Sequence, residues 1–263
     1  MNLDLLTVTL LTALVVVVTS VVFIVGMLLR KDESAGRIWG LAFLAALLTV
    51  VSYLAWAASP EAWWAVAVGN AAFVGGTGLM WLGARRFNGA PMMLPATAVA
   101  VVSAVALIVV LALGPEGGDW AGAEIMFVGI VVFAGLGARE CLYGEMGHHR
   151  ESWGLAFVLG LQSVYYLVRT GAFFAFGPES DVFSTWFGTV ETSFLTITLS
   201  IVAMVVTTVL LSGRLRLRGS VGAVTLELSN EGIMPESSFE RILLDMSERA
   251  MPRGELVGVI SVR

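Results

Sequence analysis

The chain has 263 residues, 57% hydrophobic and 13% charged, with a formal net charge of −5 and a mean hydropathy of +0.87. Soluble domains carry about a quarter charged residues, so this chain has too few polar groups to cover a water-facing surface, and lipid is the solvent its composition points to. A lone cysteine, Cys141, excludes an internal disulfide and a cysteine metal cluster.

The first apolar run, Leu5–Leu29, has no basic segment before it; the first charge is Asp4. It is longer than the roughly 7–15 residues of a signal-peptide core, and no small-residue cleavage site follows, so it reads as a retained span. Further runs follow at 38–58, 62–82, 92–113, 120–138, 153–176 and 183–211. At 1.5 Å per residue each is near or above the length that crosses about 30 Å of hydrocarbon. The expectation is an all-α integral membrane protein of seven transmembrane helices.

The connections alternate in charge. Arg30, Lys31 and Arg37, then Arg85 and Arg86, then Arg139 and Arg150, then Arg214, Arg216 and Arg218 form one set. Asp4, Glu61, Glu116 with Asp119, and Glu179 with Asp181 form the other, without a Lys or Arg. Basic connections stay in the cytoplasm, which predicts the N-terminus outside and the C-terminus inside. Trp56, Trp63, Trp64, Trp120 and Trp186 fall near the outer interface, and Trp39, Trp81 and Trp153 near the inner one, as an aromatic belt would.

After residue 213 the composition becomes soluble. Residues 214–235 read as a juxtamembrane linker whose arginines anchor topology and attract anionic lipid. Within 236–263 a helix is expected over 239–251, capped by Ser237 or Ser238 and broken at Pro252, and a strand over 256–262. One helix and one strand leave two open edges, so this cytoplasmic α/β tail is incomplete as a domain, and its ending on Val262 and Arg263 reads as a cut.

Ionisable and polar groups inside lipid mark sites or packing locks. In the sixth run Gln162, Tyr165, Tyr166 and Arg169 share one helix face by their spacing. Arg169 lies about seven residues, roughly 10 Å, from the outer end of its run. Glu191 in the seventh run is placed at similar depth, predicting an Arg169–Glu191 ion pair. Glu124 of the fifth run, Asn70 of the third, and Tyr53 and Trp56 of the second fall in the same layer. These nine residues are the candidate ligand-binding set, with a structural ion pair as the competing role. The glycines of 75–78 lack the lysine of a phosphate loop and read as close helix packing. His148 and His149 lie in a solvated connection and suggest no metal site.

Several chemistries are not expected. The only lysine, Lys31, lies outside the runs, so no retinal Schiff base is possible within them; no run contains a His for haem ligation. No run contains an Asp or His for proteolysis. No catalytic residue, cofactor, metal or nucleic-acid partner is indicated. The partners expected are the bilayer and a small-molecule or lipid ligand.

Two segments carry a family resemblance. Residues 81–87 (Trp-Leu-Gly-Ala-Arg-Arg-Phe) resemble a segment in the multi-span sensor regions of bacterial membrane diguanylate cyclases. Residues 234–240 and 254–262 are similar to the opening helix and strand of a GGDEF domain. The resemblance implies a membrane sensor in the bacterial cytoplasmic (inner) membrane, dimeric, governing a cyclic di-GMP-type output. The family's Asp-x-Leu-Thr opening is absent, Ser261 stands where its metal-binding aspartate ends the first strand, and the GG(D/E)EF motif is not in the chain. No catalytic residue is therefore carried over. A small-molecule transporter or permease-like bundle is the alternative, and a ligand-free assembly scaffold a third reading.

Overall fold

The computed structural model describes residues 5–29, 34–59, 61–118, 120–222, 240 and 244. Among them the chain forms helices and no strand: α1 (Leu5–Leu29), α2 (Ser34–Ala58), α3 (Trp63–Phe87), α4 (Met93–Leu113), a 3-10 turn (Gly114–Gly117), α5 (Ala123–Leu142), the single turn α6 (Gly144–Gly147), α7 (Ser152–Phe176), the short α8 (Asp181–Phe187) and α9 (Thr189–Gly222). Six of these contain stretches long and apolar enough to cross a membrane: Leu10–Leu29, Ala35–Ala58, Trp63–Phe87, Met93–Gly117, Ala123–Leu142 and Leu195–Ser212. The chain is thus an all-α, membrane-embedded protein by length and composition. Helix α7 is as long as α1–α3, at 25 residues. It stands outside the six because Gln162, Ser163, Tyr165, Tyr166 and Arg169 interrupt its apolar sequence.

Two compact units divide the chain, Met1–Leu210 and Leu211–Arg263. All packing described below belongs to the first. Residues expected to begin a linker at 214 are still helical, since α9 continues to Gly222. The expected tail helix and strand lie outside the described residues, apart from Glu240 and Leu244, which are helical.

The element boundaries differ most from those read in the sequence at α3 and in the seventh run. Helix α3 runs on to Phe87, with Arg85 and Arg86 in its last turn, where cations meet the negative end of the helix dipole. The seventh apolar run is not one helix. Ser180 caps α8 by accepting a hydrogen bond from the Phe183 amide at 3.2 Å, and Gly188 then turns extended (φ −62°, ψ 177°) before α9 begins at Thr189. Glu191 therefore stands in the first turn of α9, not two turns into a continuous helix.

Helix α3 is the centre of the bundle. It packs against α2, α4 and α5, while α1 packs on α2 and α7 on α5. Sixty-one per cent of the α3 span is buried against 17% for α4, which makes α4 a peripheral helix. Small residues permit the close approach. A Cβ on Gly78 would lie 2.5 Å from Val99 of α4, one on Gly76 would lie 3.3 Å from Ala45 of α2, and one on Gly83 would enter the Trp39 indole. The 75–78 glycines thus serve helix packing, as their sequence suggests.

Contacts between α3 and α5 occur in the same order along both helices. The Asn70 amide donates to the Ala121 carbonyl, Trp81 stacks on Phe133 with centroids 5.8 Å apart, and Arg85 pairs with Glu140, so the two helices run parallel. The arginines of the connections consequently gather at one end, together with Glu140, Glu145 and Glu151, and the described charged residues of the opposite connections are acidic. Arg85, Arg86, Arg139 and Arg150 share one end, and Glu61, Glu116, Glu124, Glu179 and Asp181 the other.

The basic end is tied by side chains. Arg85 Nη1 lies 3.1 Å from Glu140 Oε2, while its Nε and Nη2 donate to the Pro91 carbonyl at 3.3 and 3.1 Å. The Asn88 amide donates to both the Glu140 carbonyl and its carboxylate, and Asn88 Oδ1 accepts from the Met146 amide at 2.8 Å. The ring of His149 packs edge-on against Phe87, with centroids 5.8 Å apart.

The aromatic belt needs correction. Trp64, Trp153 and Trp186 are exposed, as belt residues should be. Trp39 and Trp81 are buried instead. The indole of Trp39 donates to the Met80 carbonyl at 3.2 Å, and Trp81 fills the space between α3 and α5. Proximity to a helix end did not fix which way the rings face.

Candidate ligand cavity

A cavity of about 240 Å³ lies inside the first unit, lined by α1, α2, α3, α5, α7 and α9 together with Trp120 and Ala121 ahead of α5. Six of the nine sequence-selected residues line it: Tyr53, Trp56, Asn70, Gln162, Tyr166 and Arg169. Their helices differ, so the shared depth inferred from helical rise converts here into spatial proximity.

Arg169 is the charged member of these six, with only 4% of its surface exposed. Aromatic rings surround its guanidinium: Phe127 at 4.6 Å from the ring centroid, Trp120 and Tyr166 each at 5.6 Å, and Phe183 at 5.8 Å. These rings also contact one another, Trp120 with Phe183 at 5.2 Å and Phe127 with Tyr166 at 5.7 Å. Ring faces carry negative potential and hold a cation without competing for its hydrogen-bond donors. The Nε of Arg169 is buried and has no hydrogen-bond partner. A guanidinium offers five donors and no acceptor, so this cavity carries an unused donor on a positive charge.

Among the described residues the neighbouring polar wall is neutral. The Tyr53 hydroxyl donates to Asn70 Oδ1 at 2.8 Å, and Asn70 Nδ2 donates to the Ala121 carbonyl at 3.1 Å. Asn70 is 3% exposed, and its two bonds tie α2, α3 and the start of α5. Gln162 Nε2 reaches the Thr77 hydroxyl at 3.4 Å. Thr12, Thr19, Thr49 and Thr196 also face the cavity, each hydroxyl donating to a carbonyl in its own helix.

Replacing Asn70 by leucine should leave the Tyr53 hydroxyl and the Ala121 carbonyl without this partner. Polar contacts between membrane helices average about 0.6 kcal/mol and reach about 1.7. Two lost bonds should lower the thermal midpoint of the detergent-solubilised protein measurably, and Tyr53→Phe should cost less because it removes one of these two and a weaker contact to the Met126 sulfur at 3.3 Å, leaving the Asn70–Ala121 bond in place.

The remaining three candidates are placed differently. Glu124 is half-buried, in the first turn of α5, and is not part of the cavity wall. Tyr165 points to the α8–α9 side, where its hydroxyl lies 3.0 Å from that of Thr192 and its ring 6.0 Å from Phe187. The side chain of Glu191 lies outside the described residues, and with it the expected Arg169–Glu191 pair.

Sequence reasoning did not select the aromatic box of Trp120, Phe127 and Phe183. The available signal was a set of aromatic residues at the outer ends of the fifth, sixth and seventh runs, at the depth of the arginine. It also passed over Asn88 and Glu140, although Glu140 stands beside Arg139 at the end of the fifth run, on the side of the bundle that holds Arg85. Among the described residues no cluster of three or more His, Cys, Asp or Glu side chains could hold a metal ion. No protein-family model matches the chain, and no curated protein and no solved structure matches it significantly.

Proposed function

We propose that this chain is a membrane sensor or regulatory module whose cavity receives a stimulus at the acidic end of the bundle and whose α9 carries the response toward a cytoplasmic output. The supporting observation is the buried Arg169, with an unpartnered donor, in a cavity whose wall includes α9 from Thr192 to Ala203. That helix continues without interruption to Gly222, through Arg214, Arg216 and Arg218. In this reading α7 is a seventh span, its polar stripe facing the cavity and its opposite side lipid. Phe157, Val164, Leu167 and Val168 on that helix are exposed, which agrees with lipid contact. The basic end of the bundle is then cytoplasmic in a bacterial inner membrane. The resemblance of residues 81–87 and of the tail to GGDEF-linked sensors favours a cyclic di-GMP-type output made by further chain or by a partner.

The coupling can be tested with nitroxides at Val132 on α5 and Val209 on α9, both exposed, in a Cys141→Ser background. Pulsed dipolar spectroscopy in nanodiscs should give a different 132–209 distance distribution for Arg169→Gln than for the parent. Superimposable distributions would remove α9 as the route of the signal.

A further inference from the structure

We infer that the cavity ligand is a monoanionic, single-chain amphiphile, a carboxylate carried on an apolar body, with its head group on Arg169. This rests on the sensor reading of the cavity and names the ligand class for it. Arg169 supplies one positive charge with an orphaned Nε donor, 4% exposed, inside the cavity wall. A carboxylate matches a guanidinium in charge and in planar geometry. Among the described cavity residues the groups beside it are neutral. Asn70 and Tyr53 already satisfy one another, so they can accommodate one anion and offer no second cation for a dianion.

Away from Arg169 the wall changes character. Val16, Phe43, Val50, Leu159 and Leu199 face the same space, and the threonines among them have bonded their hydroxyls to their own helices. Such a surface prefers hydrocarbon to a polar solute. Size sets the third limit. At about 240 Å³ the cavity falls just below the roughly 300–1,000 Å³ of pockets for drug-sized ligands. That size favours one short chain over the two acyl chains of a phospholipid. Depth agrees: Arg169 sits seven residues before the end of α7, about 10 Å along its axis, below the level at which a phospholipid head group lies.

Binding to the purified full chain tests this independently of any output. In phosphatidylcholine nanodiscs, titration with decanoate should give saturable thermal stabilisation. Decanol and decyltrimethylammonium should bind at least about tenfold more weakly, since the charge-assisted contact to Arg169 is missing. Arg169→Lys should retain part of the preference, and Arg169→Gln should bind decanoate and decanol alike. If Arg169→Gln does not fold, the decanoate-to-decanol ratio of the parent protein decides alone. Adding phosphatidylglycerol to the nanodiscs should leave the decanoate affinity unchanged; loss of binding there would assign the anion to lipid and overturn the proposal. Equal binding of decanoate and decanol by the parent would also overturn it, as would a decanoate preference that emerges only in Glu191→Gln, because an internal carboxylate would then already occupy the arginine. Failure here with an altered 132–209 distance in the spin-label experiment would leave the sensor reading standing with a different ligand.

Discussion

Gly83→Ala should sharply reduce the yield of folded protein and lower the thermal midpoint of what remains. A Cβ at this position enters the indole of Trp39, which is 0% exposed and hydrogen-bonded to the Met80 carbonyl. The ring cannot step aside, because Phe87 packs on it with centroids 6.1 Å apart. Overpacking a rigid core costs about 1–3 kcal/mol, and here α2 and α3 must also move apart. Size-exclusion recovery after heating is the simplest measurement. The control is Gly89→Ala, where nothing lies within 4 Å but φ is +68°; it should show only the smaller penalty of left-handed backbone. A companion Trp39→Phe change, by providing room, should recover part of the loss in the Gly83→Ala background, whereas a purely conformational effect of glycine would show no such rescue.

Asn88→Ala should be the second most damaging change, although Asn88 is neither in the cavity nor in the middle of a helix. Its amide donates to the carbonyl and the carboxylate of Glu140, and its oxygen accepts from Met146. The chain folds tightly over it, since a Cβ on Gly144, itself at φ +65°, would lie 2.8 Å from the Asn88 amide carbon. Removing the amide leaves the Met146 amide hydrogen unsatisfied and withdraws two donors from Glu140. At about 1 kcal/mol for each typical bond and 1.5–3 for one to a charged group, a loss on the order of 3 kcal/mol is expected. A double-mutant cycle of Arg85→Ala and Glu140→Ala should give a coupling energy above that of an exposed pair, as both side chains are largely buried, at 22% and 13% exposure. Stability should suffer in all of these variants, while the decanoate-to-decanol preference of any that fold should persist.

Much of the bundle was legible because lipid imposes a simple rule on composition. Leu5–Leu29 appears as α1 with the ends the apolar run has, and the separation of Arg85 and Arg139 from Glu61 and Glu116 follows from counting charges in the connections. The polar layer was legible too, since helical rise gives depth directly. Rotation about the axis was not, because each residue turns by about 100° and only the neighbours decide which direction is inward. Glu124 is next to the cavity-lining Ala123, and Tyr165 next to the cavity-lining Tyr166; depth selected the first and a broad helix face the second, and rotation leaves both out of the cavity wall. The break at Gly188 escaped for another reason. An apolar run records burial in lipid, whereas the start of α9 is set by backbone geometry at one residue, and this moves Glu191 from a mid-helix position to a first turn.

The threonines of α9 carry a mechanical implication. Thr192, Thr196 and Thr207 donate to the carbonyls of Gly188, Thr192 and Ala203, four residues back in each case. Hydroxyls closed onto their own backbone lose nothing when the rod swivels about its long axis. Near its beginning the rod is fastened to α7 through the Tyr165 and Thr192 oxygens, and farther along Val206 lies where a side chain on Gly154 of α7 would be. The Thr196 and Thr207 bonds, being internal to the helix, do not themselves oppose torsion applied at the fastened end.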